Sequence, residues 1–390
     1  MKFVHVADCH IGAWRDPKMK ELTHQAWLSF VQEAIAEQPD FIVLAGDFFN
    51  TALPNIDSLK IGVAGLQQFK NANIPVYAIA GSHDYSPSGK TMLDVLEQAE
   101  LLIDVMRGRV ENDQVTLKWT QDEKTGVKLS GIIGKRGSLD KHYYEDLNRE
   151  AIEEEQGEKI FMFHTSIAEL KPKFLEKMEA YPASFLPKNC NYYAGGHVHI
   201  TEDISLPGYK NIVYPGPLFP ASFSELEKLE CGSYCVVENW QMTRRKLRIK
   251  NTKNIVIDAT NKNPNTIEEE IREQLTNIDD TIILLRVAGE LAGTPSSIDF
   301  RSIIHEAYEK GAYMFLKNTI KLTSKEYEEI QVSHNTPERL EEEIMQGTKH
   351  EDIAKKLLQT LSIQPHDGEK KYEYEKRMLE QGKKIIFEES

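Results

Sequence analysis

The sequence predicts an α/β fold, and two observations carry that prediction. Short, almost wholly apolar runs of strand length recur through the first part of the chain. Amphipathic stretches of helical period separate them. Strands that are apolar on both sides need a sheet covered on both faces, which the intervening helices would supply. With 390 residues the chain is long enough for two or three domains with cores of their own.

Residues 2–7 read as the first strand, built around Val4 and Val6. Residues 18–37 read as a helix, with Leu22, Ala26, Trp27, Val31, Ala34 and Ile35 near one stripe. Pro39-Asp40 breaks it, and FIVLAGD (41–47) is a continuous apolar strand. A helix follows at 57–70, with Leu59, Val63 and Leu66 at i, i+4 and i+7. PVYAIAG (75–81) is the next strand and 91–104 the next helix. KIFMFH (159–164) and NYYAGGH (191–197) complete the set. Composition shifts after about residue 235: KLRIK, NIVIDA and TIILLRV surround helical stretches at 265–275 and 299–310, a small separate α+β unit. From 336 the chain is charged and helical. Thr336-Pro337 starts one helix, Thr348 and Glu351 form a capping box before the stripe Ile353, Leu357 and Leu361, and a third helix over 368–381 ends at Gly382.

The totals narrow the function classes. No apolar run approaches the roughly 20 residues a bilayer needs. Asp8 and His10 interrupt the only N-terminal apolar stretch, so no signal peptide is expected. Four dispersed cysteines form no disulfide framework, which points to a reducing cytoplasm. A net charge of -14 argues against a protein that coats nucleic acid by charge alone.

The chemistry sits at the strand ends. The five strands finish in Asp8-x-His10, Gly46-Asp47, Gly81-Ser82-His83-Asp84, His164 and Gly196-His197-x-His199. In open α/β sheets ligands bind beyond the carboxyl ends of strands, so these residues should converge. Residues two apart on an extended chain point the same way, which would make Asp8 with His10, and His197 with His199, into pincers. Glycines before Asp47, Ser82 and His197 would let the backbone turn there. Mixed carboxylate and imidazole donors suit Mn²⁺, Fe or Zn²⁺ rather than Ca²⁺. About seven donors are too many for one four-coordinate ion, and two ions roughly 3.5–4 Å apart, bridged by a carboxylate, would use them all.

VADCHIG, AGDFFN, AGSHDYS, MFHTS and AGGHVHI resemble the five motifs of the calcineurin-like metallophosphoesterases, over roughly residues 1–225. The order of FVHVADCHIG, the helices at 57–70 and 91–104, TIILLRVAGE and the helical tail is similar to the nuclease subunit of the DNA double-strand-break repair complex, the meiotic recombination eleven and SbcD family. The resemblance implies a metallophosphoesterase β-sandwich flanked by helices (1–235), a DNA-guiding capping domain (240–325) and a helical partner-binding tail (336–390). It implies a DNA exonuclease and endonuclease with two Mn²⁺ ions. One ion would be held by Asp8, His10, Asp47 and His199, the other by Asp47, Ser82, His164 and His197, with His83 contacting phosphate and protonating the leaving oxygen. Two departures stand out. Ser82 occupies a position where the family has Asn, which is either a harmless variant or a weaker second metal. Asn50 stands where some relatives have His.

The same resemblance implies partners: DNA ends, a coiled-coil ABC-type ATPase gripped by the tail, and a second copy of the chain paired through helices 57–70 and 91–104. The apolar faces of those helices (Leu59, Val63, Leu66; Met92, Leu93, Leu96) would serve that pairing, or ordinary packing on the sheet. Lys246, Arg248 and Lys250 on one strand face, and Lys135-Arg136 beside Gly134 and Gly137, would touch the DNA backbone. The expected location is the cytoplasm, on the nucleoid. A phosphatase or phosphodiesterase of small substrates, or a catalytically weak DNA-end scaffold, are the alternatives on the same fold.

Overall fold

The computed structural model describes residues 1–86, 89–111, 113–135, 140–172, 178–324, 353, 356, 357, 360, 361, 363 and 371–388. The chain divides into two units, Met1–Lys325 and Glu326–Ser390. In chain order the first unit begins with β1 (Lys2–Val6), α1 (Pro17–Ala36), β2 (Phe41–Ala45), α2 (Ile56–Asn71), β3 (Val76–Ile79), α3 (Met92–Gln98) and β4 (Ile103–Asp104). There follow β5 (Gly108–Glu111), β6 (Gln114–Leu117), β7 (Thr120–Gln121), β8 (Lys128–Ile132), α4 (Lys141–Glu145), α5 (Arg149–Glu153), β9 (Lys159–His164) and β10 (Tyr192–Gly196). Then come β11 (Thr201–Leu206), β12 (Tyr209–Pro215), α6 (Phe223–Leu229), β13 (Gly232–Glu238), β14 (Gln241–Leu247), β15 (Asn251–Asp258), α7 (Pro264–Gln274), β16 (Thr281–Leu291), α8 (Phe300–Glu309), β17 (Met314–Asn318) and β18 (Leu322–Ser324).

Two six-stranded sheets, β14-β13-β1-β2-β3-β4 and β11-β12-β10-β9-β8-β7, share an apolar layer. Strand alternation builds it: Phe3 and Ala7 face that layer, while Val4 and Val6 face the helices on the other side. β1 to β4 run parallel, as do β8, β9, β10 and β12. The carboxyl ends that carry the chemistry therefore lie together within each sheet. Each long helix starts where its sequence says it should. Asp16 caps α1 ahead of Pro17, Asn55 caps α2, and Thr91 with Asp94 forms a capping box on α3. The aromatic centre of the outer layer is Trp27, whose ring lies 5.7, 5.0 and 6.2 Å from Phe30, Phe48 and Phe69.

The third sheet, β15-β16-β17 with β18 against β16, buries one face on α7 and α8. Its other face sets Ile282, Leu284 and Met314 into the core of the first sheet's helical side.

Several expectations change. The helix expected over 91–104 ends at Gln98; Glu100 turns with φ +56°, and Ile103 pairs with Tyr77. A run of consecutive apolar residues, Leu101 to Ile103, had imitated helical period. KLRIK does not belong to the third sheet. Residues 241–247 form β14, the edge of the first, because Leu247 buries into its core. Lys246, Arg248 and Lys250 are thus not on one strand: Arg248 lies 3.6 Å from Glu230, and Lys250 holds Asp280 at 2.6 Å. Leu66, Leu93 and Leu96 are buried in the chain's own core, with Leu59, Val63 and Met92 packed against it. In the second unit, a helix spans Lys371–Glu388 straight through Gly382, which is buried 3.7 Å from Leu357 once a Cβ is added. That is ordinary contact distance, so nothing in the structure requires a glycine at this point of the helix. Thr336, Pro337, Thr348 and Glu351 lie outside the described residues, as do Arg136 and Gly137.

Trp27→Ala is expected to cost about 3–5 kcal/mol, the usual range for emptying a large aromatic site. Chemical denaturation should show the midpoint falling while the unfolding slope holds.

Candidate metal centre

The five strand ends converge. Asp8 and His10 follow β1, Asp47 follows β2, Ser82 and His83 follow β3, His164 closes β9, and His197 and His199 follow β10. Their donor atoms fall into three overlapping groups: Asp8, His10 and His199; His10, Asp47 and His83; Asp47, His164 and His197. Within each group the donors lie within 4.8 Å of one another. Asp47 belongs to two groups, and its Oδ2 is 3.2 Å from His164 Nε2 and 3.6 Å from His10 Nε2. Asp8 Oδ1 is 3.8 Å from His199 Nε2 and 4.0 Å from His164 Nε2. Ser82 lines the same cleft, about 380 Å³, with His83, Lys135, Asp140, His164 and His197.

The pincer geometry differs from simple strand alternation. β1 ends at Val6, and Asp8 and His10 adopt φ +51° and +42°. Asp47, His197 and His199 also have positive φ, at +51°, +97° and +53°. Asp and His tolerate this region better than most side chains, but each such residue costs about 1–3 kcal/mol. The turns send His197 and His199 to different groups rather than to one ion. The glycines also act differently from expectation. Gly46 does need its φ of +88°. Gly81 and Gly196 are needed for space: a Cβ would come 2.2 Å from Asp47 Oδ1 at the first and 2.2 Å from Ala45 O at the second.

Hydrogen bonds aim the imidazoles. His164 Nδ1–H donates to Ala45 O at 2.8 Å, across the two sheets, which turns the buried Nε2 toward the Asp47 carboxylate. His199 Nδ1–H donates to Glu225 Oε2 at 3.0 Å. His83 Nδ1–H donates to the main-chain O of Asn50 at 2.7 Å, so residue 50 orients His83 through its backbone. His10 Nε2 and His199 Nε2 approach to 2.9 Å, and His10 Nδ1 is a buried nitrogen without a hydrogen-bond partner. Convergent buried imidazole nitrogens, one of them orphaned, beside two buried carboxylates are a donor set that fits divalent transition ions.

Two side chains that sequence reasoning passed over hold this set in place. Asp84 accepts from the backbone N–H groups of Gly81, Phe48 and Phe49 at 2.8, 3.3 and 3.2 Å. It ties the turns after β2 and β3 together, and burial plus the charge of Asp47 raises its pKa to about 7. Glu225 was legible: Ser222-x-x-Glu225 has the same capping-box spacing as Thr348 and Glu351.

Burial works against a charge on His164, but the Asp47 and Asp8 carboxylates outweigh it and hold its pKa at about 10. Burial likewise opposes a charge on His199, and Glu225 and Asp8 bring it to about 9. Burial lowers His10 to about 3; burial and the charge of His164 lower His197 to about 4. The Asp47 carboxyl is held well below the usual range; its burial opposes this, but His164 and His10 prevail. The carboxylates of Asp47, Asp8 and Glu225 thus favour the protonated forms of His164 and His199.

Residues 1–201 match the family described as calcineurin-like phosphoesterase, just over half of the 390-residue chain. The chain belongs to the calcineurin-like phosphoesterase family. Curated relatives include the DNA double-strand break repair protein Mre11 of Archaeoglobus fulgidus, 27% identical over 59% of this chain and 52% of that protein. The Methanococcus maripaludis protein of the same name is 29% identical over 51% of this chain and 52% of its own length. That of Methanosarcina mazei is 25% identical over 87% of this chain and 53% of its own length. The chain spans about half the length of the curated relatives it matches. Among solved structures, a dimetal phosphatase from Danio rerio covers 63% of this chain at 9% identity with a TM-score of 0.37, too slight a likeness to bear on function. Among the described residues, no helix of this phosphoesterase is long and apolar enough to cross a membrane.

The pKa pattern predicts a pH signature. His164 and His199 are raised above 6.5, so their contribution to stability is complete below pH 6.5 and is lost as pH rises through about 9–10. His10 and His197 are lowered, so theirs is present above pH 6.5 and lost as pH falls through about 4 and 3. In EDTA the melting temperature should fall between pH 6.5 and 10. With a saturating divalent transition ion, which would compete with the two protons, that fall should largely disappear, and calorimetry in buffers of different ionisation enthalpy should record proton release on metal uptake.

Proposed function

We propose that this chain is the nuclease subunit of a DNA double-strand-break repair complex, hydrolysing phosphodiester bonds with two divalent cations, Mn²⁺ foremost. The observation that carries the reading is a carboxylate, Asp47, shared between neighbouring donor groups with His83 beside it. Asp8, His10, Asp47 and His199 would hold one ion; Asp47, Ser82, His164 and His197 would hold the other. Bound there, the ions would activate a water and neutralise the phosphate for in-line attack. The relatives named for DNA double-strand break repair support DNA as the substrate.

His83 acts as the general acid in this reading. Its Nδ1–H is committed to Asn50 O, its ring meets that of His10 at 4.8 Å, and its backbone N–H donates to Asp47 Oδ1 at 2.7 Å. Nε2 is therefore the atom free to deliver a proton to the departing sugar oxygen. Lys135, on the wall of the same cleft, is the basic residue best placed for a flanking phosphate; its Nζ donates to Tyr143 OH at 2.8 Å.

The partner assignments rest on exposed apolar residues. Leu53, Ile56 and Val95, exposed at 76%, 75% and 58% on or beside α2 and α3, are the residues we assign to pairing with a second copy, in place of the buried leucines. Tyr372, Leu379 and Ile386, exposed along the helix Lys371–Glu388, are those we assign to the coiled-coil ATPase. The region of β15 to β18 would guide DNA, and the complex would work in the cytoplasm on the nucleoid.

Linear duplex DNA with Mn²⁺ tests the reading. Wild type should cleave it, and His83→Ala should lose about 10²–10⁴-fold in rate while still binding metal. A wild type that leaves DNA intact, with and without its ATPase partner, would reject the assignment. Ser82→Asn should raise Mn²⁺ affinity at the second position; unchanged affinity would mark Ser82 as a neutral replacement.

A further inference from the structure

Glu225 stands one hydrogen bond behind His199, and its own position is over-determined. Oε2 accepts from Ala221 N at 2.9 Å as well as from His199 Nδ1 at 3.0 Å, and Oε1 accepts from Ser222 Oγ at 2.9 Å. Ser222 Oγ in turn accepts from Glu225 N at 3.2 Å, closing the first turn of α6. The carboxylate that orients the imidazole is thus fixed to the helix start in every direction.

The far side of the same helix is clamped to the third sheet. Glu227 receives Arg286 of β16 in a bidentate pair, at 2.7 Å from Nε and 2.6 Å from Nη2. Arg286 also lies over the Phe223 ring at 5.2 Å, and Asn254 of β15 donates to Glu227 O at 3.0 Å. A fork-to-fork pair fixes angle as well as distance. Only seven residues long, α6 has one carboxylate on the metal centre and, two residues on, another on the third sheet.

We propose that Glu225 is a positioning residue for His199, and that α6 transmits the placement of the third sheet to the metal position that His199 serves. The inference rests on the two-metal reading above. Carboxylates behind ligating imidazoles fix tautomer and ring angle and raise basicity. Here that carboxylate travels with an element whose other anchor is Arg286. A shift of β16 relative to the first sheet would rotate α6 and withdraw or present Nε2 of His199, leaving His164 and His197 untouched.

The test is Mn²⁺ binding by calorimetry, with electron paramagnetic resonance to tell a coupled ion pair from isolated ions. Wild type should take up two ions as a coupled pair. Glu225→Ala should weaken one ion about 10–100-fold and convert the coupled signal to a mononuclear one, while the other ion binds as before. Glu225→Gln, which still accepts from Nδ1–H, should recover part of the loss. Arg286→Ala, which touches no ligand, should weaken the same ion about 2–30-fold. Two ions bound equally well by Glu225→Ala would overturn the positioning role. Loss in Glu225→Ala with none in Arg286→Ala would overturn the link through α6. A wild type that binds no Mn²⁺ would reject the metal reading itself, a separate result.

Discussion

Asp47 is a buried carboxylate with His164 at 3.2 Å and His10 at 3.6 Å of the same oxygen. Everything around the site is arranged so that this charge is never alone. A lone buried carboxylate would be far too costly to leave unpaired. Its second oxygen accepts the His83 backbone N–H, and glycine at 81 leaves room for it. Asp84 repeats the theme from behind, gathering three backbone N–H groups that hold the flanking turns.

That concentration of charge demands two sheets in register with each other. His164 and His197 come from β9 and β10, whereas Asp8 and Asp47 come from β1 and β2. The joints between them are short: His164 Nδ1–H to Ala45 O, and His197 N–H to both oxygens of Asp8 at 2.9 and 3.1 Å. The shared apolar layer presses the sheets together, and these hydrogen bonds set the lateral match. Positive φ at Asp8, His10, Asp47, His197 and His199 is strain that this packing sustains.

Much of this was legible. Apolar runs and helical stripes located β1, β2, β3, β9, β10, α1 and α2 to within one or two residues, because each carries a local signal that packing reinforces. The convergence of Asp8, His10, Asp47, His83, His164, His197 and His199 was legible because each ends or follows an apolar strand. What was hidden depends on contacts between distant segments. Asp84 looks like one more polar turn residue until β2 and β3 stand side by side. The pairing of Glu225 with His199 spans two motifs that sequence places 26 residues apart. Consecutive leucines at 101 and 102 imitate helix but feed a strand, and Leu66, Leu93 and Leu96 look like an interface but fill the core. Gly81 and Gly196 were noticed for flexibility, yet their reason is the absence of a side chain.

The most direct test of the central claim is an anomalous-scattering map at the manganese edge, from crystals equilibrated with Mn²⁺. The account predicts two peaks that share Asp47, one ringed by Asp8, His10 and His199 and the other by His164 and His197 with Ser82 nearby. One peak alone, or two that leave Asp47 unbound, would contradict it.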